Sequence, residues 1–128
     1  MTAAAVLLAA QLALGQPFTW PVETFWFDPS RCNVAPINCF DPAFPFRMAA
    51  GHDARNYYGV AAACPPEFPL YTRLTITGSW RGLANGERVC LDRGGAVVMR
   101  PNGTAIVDLL SAYPVWRETL TVQVWPPE

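Results

Sequence analysis

The sequence predicts a small all-β domain, and three observations carry that expectation. Thirteen prolines and nine glycines interrupt the chain too often for long helices, because proline lacks the amide donor a helix needs and glycine raises the entropic cost of ordering. Short runs that alternate polar and apolar residues recur through the second half, each stopped by turn-forming residues. Four cysteines, Cys32, Cys39, Cys64 and Cys90, show none of the Cys-x-x-Cys pairs of a zinc site and read as disulfides. With 128 residues the chain is long enough for one hydrophobic core, and two would be a stretch.

Charge narrows the partners. Nine basic residues stand against ten acidic ones, for a net charge of −1, which offers no electrostatic footprint for nucleic acid or an anionic membrane. Neither a metal nor a cofactor is expected. Only 15% of the residues are charged, which suits a domain stabilised outside the cytosol or one whose surface packs against something else.

In chain order, residues 1–15 come first. Ala3 to Leu14 has the length and composition of a signal-peptide core, with Ala13-Leu14-Gly15 as a small-x-small cleavage site; the alternative is an apolar arm that lies across the domain or on a partner. It is too short to span a membrane. Residues 16–45 are dense in proline and aromatics, with turn pairs at Asp28-Pro29 and Asp41-Pro42, and read as loops with one edge strand around Thr24 to Phe27. Burial of these aromatics over a small barrel is favoured over sugar stacking.

Residues 46–128 carry the regular pattern. Strands are expected at Gly59 to Cys64, Thr72 to Thr77, Arg88 to Asp92, Ala105 to Leu110 and Thr119 to Val124. Between Ala96 and Leu110 the chain reads as a hairpin closed by Asn102-Gly103, and that turn is preferred over a glycosylation role for Asn102-Gly103-Thr104. Of the three possible cysteine pairings, Cys32 with Cys39 as a loop clip and Cys64 with Cys90 as a strand-to-strand staple is favoured; each bridge contributes about 2–4 kcal/mol. His52, the single histidine, reads as a loop residue rather than a general base.

Asp92-Arg93-Gly94-Gly95 is the most informative stretch. The two glycines permit positive φ and a close backbone approach where a strand bends, with or without a ligand, as a β-bulge would also require. Asp92 suits either a site carboxylate or a cap on the Gly94 and Gly95 amides. Asp108, flanked by Ile106, Val107, Leu109 and Leu110, suits either an acid whose pKa is raised by apolar surroundings or an outward polar position on a strand.

Val60-Ala61-Ala62-Ala63-Cys64-Pro65, Pro69-Leu70-Tyr71-Thr72, Cys90-Leu91-Asp92-Arg93-Gly94-Gly95-Ala96 and Ile106-Val107-Asp108-Leu109-Leu110, in that order, resemble the three-aspartate domain family over Phe46 to Trp125. The family includes the catalytic barrel of membrane-bound lytic transglycosylase A. The resemblance implies a small six-stranded double-psi β-barrel behind an irregular Pro/aromatic-rich N-terminal segment. Cys64 stands where the family has its first aspartate, and Asp92 and Asp108 are separated by 16 positions, a short hairpin more than is usual.

By that resemblance the chain is an exported, cell-wall-active protein that cleaves the β-1,4 bond between N-acetylmuramic acid and N-acetylglucosamine of peptidoglycan. Asp108 is implied as the acid and then the base that closes a 1,6-anhydro ring, with Asp92 beside it. Gly94, Gly95, Tyr71 and Trp80 are the expected substrate contacts. The other function considered is a non-catalytic glycan-binding or structural barrel, such as a self-assembling component of a virion or surface filament. The expected location is secreted or in the cell envelope, or in the virion or filament on the second reading.

Overall fold

The computed structural model describes residues 1–32 and 39–128. Residues 33–38, inside the expected loop and enclosed by the Cys32–Cys39 bridge, lie outside the described residues. Six strands form a closed barrel: β1 (Phe18–Phe27), β2 (Ala61–Ala63), β3 (Arg73–Ile76), β4 (Gly86–Asp92), β5 (Ala105–Leu110) and β6 (Thr119–Trp125), in the order β1-β5-β2-β4-β3-β6. β1 with β5 and β2 with β4 run parallel, and the remaining pairs are antiparallel. Advancing each strand by three places returns the same neighbours, so β1–β3 and β4–β6 are equivalent halves. That mixed pairing is compatible with a double-psi barrel.

Five of these strands lie where alternation predicts them, and β1 corrects the reading of residues 16–45. The segment expected to be loop with a short edge strand contains the longest strand of the barrel, ten residues that pair with β6 from Phe18 to Glu23 and with β5 from Val22 to Phe27. Trp20, Val22 and Thr24 alternate inward. Pro21 is tolerated because it pairs with β6 before the pairing with β5 begins at Val22, so one flank of the strand has no ladder to lose there. The expected 96–110 hairpin shrinks to its tip. Met99 bridges Ala105, Asn102 Oδ1 accepts the Thr104 amide at 3.0 Å, and Gly103 turns the chain at φ +94°.

Two apolar layers follow from the period-2 geometry of strands. Ala62, Cys64, Leu74, Ile76, Cys90, Val107, Leu109, Val122 and Val124 fill the inside of the barrel. The opposite faces of the same strands carry Phe27, Ala61, Ala63, Leu91 and Leu110, which Met48, Ala54 and Val97 cover from outside. A bulge shifts the sides in β4: the register runs from Ala62↔Cys90 to Ala63↔Asp92, leaving Leu91 as an extra residue.

Both expected disulfides form, Cys32–Cys39 and Cys64–Cys90. The second ties β4 to the end of β2 inside the barrel. Arg88, also buried on β4, donates from Nη1 to the carbonyls of Ala61 at 3.1 Å and Leu110 at 3.0 Å, and burial lowers its pKa to about 10. It stays charged at neutral pH and clamps the short β2 to β5.

Ala3–Ala13 forms an α-helix, α1, capped by Thr2, whose Oγ1 accepts the Ala5 amide. Leu8 is fully buried and joins the inner layer with Trp20. Within this fold the apolar stretch lies across the domain. No helix among the described residues is long and apolar enough to cross a membrane.

Candidate functional site

Asp108 and Asp92 flank the same residue. Ala63 of β2 pairs with Asp108 of β5 on one side and, just past the bulge, with Asp92 of β4 on the other. Paired residues on adjacent strands project from the same face, so Asp108, Ala63 and Asp92 form a row on the outer face of the barrel. Only the Ala63 methyl stands between the two carboxyl groups. A cavity of about 170 Å³ opens over this row, lined by Ala63, both aspartates, Arg93, Gly94, Gly95, Val97, Phe27, Cys39 and Phe40.

The two carboxyl groups are held differently. Asp92 is buried, and its Oδ1 accepts the Ala49 amide at 2.9 Å. Burial raises its pKa, opposed by the amides of Ala49 and Arg93 and by the Arg93 guanidinium. Its amide donors thus come from Ala49 and Arg93, where a cap would have taken those of Gly94 and Gly95.

Asp108 is half-buried on its strand, and its Oδ1 is closed off from solvent with no hydrogen-bond partner among the described residues. Burial, reinforced by the negative charge of Asp92, raises its pKa to about 7. A carboxyl group in that state holds a proton near neutral pH and can give it up there. The strand position of Asp108 is outward and its surroundings are apolar.

Arg93 would be a natural anion ligand beside the cavity, but its guanidinium is committed elsewhere. Nη2 donates to the Phe68 carbonyl at 2.7 Å, and Nη1 to the carbonyls of Cys64 at 3.3 Å and Pro65 at 3.4 Å. It fastens the cavity wall to the loop that follows β2.

The glycine pair lines the cavity, and positive φ is not the reason. Neither glycine has positive φ. A Cβ at Gly94 would come within 2.9 Å of Val97 Cγ2, whereas one at Gly95 would meet nothing within 4 Å. Gly94 is required for close approach and Gly95 leaves the rim open.

Tyr71 and Trp80 are not among the residues lining this cavity. Tyr71 has φ +74°, donates its amide to the Cys90 carbonyl, places its hydroxyl 3.1 Å from His52 Nε2, and lines a separate depression with Leu70, Arg73 and Val89. His52 itself lies in a loop, as expected. Trp80 follows β3, stacks on Trp116 with ring centroids 4.9 Å apart, and donates its amide to the Glu118 carboxylate. Sequence reasoning missed Phe27, Phe40, Ala63, Arg93 and Val97 as lining residues. The only signal was adjacency, since Ala63 precedes Cys64 and Phe40 follows Cys39.

Among the described residues no group of His, Cys, Asp and Glu is arranged to hold a metal ion. No protein family, curated protein or solved structure matches the chain.

Proposed function

We propose that this chain is a double-psi barrel of the three-aspartate type, exported to the cell envelope, that cleaves peptidoglycan glycan strands as a lytic transglycosylase. The observation that carries the reading is Asp108: a carboxyl group with a buried, unpartnered oxygen and a pKa of about 7, next to a second carboxyl group in an open cavity. In the proposed reaction its proton goes to the glycosidic oxygen as the bond to the leaving sugar breaks. The Asp108 carboxylate then takes the proton from the muramyl 6-hydroxyl as that oxygen bonds to the anomeric carbon. The ring closes without water, and Asp108 is again protonated. Asp92, charged and fixed by the Ala49 amide, keeps the Asp108 proton in place and faces the positive charge that develops on the sugar.

The non-catalytic reading, a glycan-binding or structural barrel, is favoured by Cys64. That residue stands in place of the family's first aspartate and is fully buried in a disulfide inside the barrel, so no carboxylate reaches the site from there. Incubation of the purified protein with peptidoglycan separates the two. Catalysis yields anhydromuramyl products that disappear in Asp108→Asn; binding to glycan strands with no product from either protein establishes the second reading.

A further inference from the structure

The aspartate cavity does not stand alone. A depression of about 210 Å³ on one side shares Phe27, Val97 and Asp108 with it and is otherwise lined by Phe25, Trp26, Ala96 and Ile106. On the other side a depression of about 440 Å³ shares Cys39, Phe40, Asp92 and Arg93, and a further one of about 430 Å³ continues from it through Phe44 and Arg47. The depressions adjoin in succession through shared lining residues, with Asp108 between an aromatic arm and a polar arm.

The polar arm contains three guanidinium groups, those of Arg47, Arg55 and Arg93, and they differ in availability. Arg93 is spent on backbone carbonyls. Arg47 is exposed, lies 3.5 Å above the centre of the Phe44 ring, and forms no ion pair among the described residues. Neither nearby carboxylate forms an ion pair with it: Asp53 pairs with Arg55, and Asp41, which accepts the Ala43 amide, makes no ion pair among the described residues. Stacking on Phe44 fixes the planar cation while leaving its in-plane donors open, which is the arrangement that favours a two-pronged grip on a carboxylate.

We propose that Arg47 is a specificity-determining residue that binds a carboxylate carried on a glycan strand, so that the strand lies with its acidic substituent in the polar arm and an uncharged sugar against Trp26 and Phe25. The inference rests on the glycan-cleaving reading of the same site and goes beyond it by selecting strands that bear stem peptides. It also sets the direction in which the strand crosses Asp108.

The test measures binding to the uncleaving Asp108→Asn protein, using glycan strands that carry stem peptides and the same strands after their carboxyl groups are converted to amides. Native strands are expected to bind about tenfold more tightly, the ratio of a single charge-assisted contact. In Asp108→Asn/Arg47→Gln that ratio falls to near one, and Arg47→Lys, which keeps the charge but not the fork, restores part of it. Equal binding of both strands, or a ratio that survives Arg47→Gln, overturns the role of Arg47 while leaving glycan recognition standing. Failure of both strands to bind overturns the glycan reading and this inference with it.

Discussion

On the inner face of β5, β2 and β4, Leu109, Ala62 and Cys90 lie side by side, fully buried in aliphatic contacts and a disulfide. One residue along, on the outer face of the same strands, Asp108, Ala63 and Asp92 lie side by side, and one carboxyl oxygen has no partner among the described residues. The inner row lowers the free energy of the fold. The outer row raises it, because a carboxyl group shielded from water without a donor is stable only when it keeps its proton. A barrel selected for stability alone has no use for the second row, and the contrast between neighbouring rows is what points to chemistry on the outside of the wall.

Four measurements press on that contrast. The largest effect is expected from Asp108→Asn, which lowers the release of anhydromuramyl products by about 10²–10⁴-fold, the usual contribution of a positioned acid. Activity that persists in this variant removes Asp108 from its role. In the inner row, Leu109→Ala leaves a cavity and costs about 3 kcal/mol in denaturant unfolding; a cost close to zero would show that the inner layer is not tightly packed.

Ala63→Leu tests the gap between the carboxyl groups. The larger side chain occupies the floor of the cavity, costs about 1–3 kcal/mol of stability by overpacking, and blocks glycan binding in the Asp108→Asn background. Unchanged binding would place the ligand elsewhere.

The smallest effect is in the pH dependence of stability. The folded-state pKa of Asp108, about 7, lies above the ordinary carboxyl value, so between about pH 4 and 7 the folded protein holds a proton that the unfolded chain has released. The associated stabilisation is complete below about pH 4 and is lost as pH rises through 7. Asp108→Asn has no such loss, so relative to the native protein it gains about 1–2 kcal/mol across that window once solvent screening is allowed for. Parallel stability curves for the two proteins would contradict the raised pKa.

The sequence made much of the inner row legible and less of the outer one. Alternation in Ala105–Leu110 and Thr119–Trp125 marks strands because a period of two is a direct record of one buried face. β1 is legible only over Thr24 to Phe27, because Pro21 and the proline- and aromatic-rich residues around it resemble a loop until the neighbouring strands are known. Asp92 and Asp108 were recognisable as candidates, but their meeting across Ala63 depends on β2 lying between β4 and β5, a long-range pairing that no local pattern encodes. Tyr71 and Trp80 were named for their chemistry alone, and tertiary placement sets them apart from the cavity.

Leu91 gives the arrangement an arithmetic basis. A strand assigns its side chains to the two faces by odd and even count, and every pairing up to Ala62↔Cys90 keeps one parity. Had the count continued unbroken, Leu91 would lie opposite Ala63 and Asp92 would point into the barrel, away from Asp108. One supernumerary residue reverses the parity and sends Asp92 outward to join Asp108. Deleting Leu91 is therefore a trimming rather than an inversion: Asp92 would follow Cys90 directly, stand opposite Ala63 without a bulge and keep its outward side, and the outer layer would lose only the Leu91 side chain.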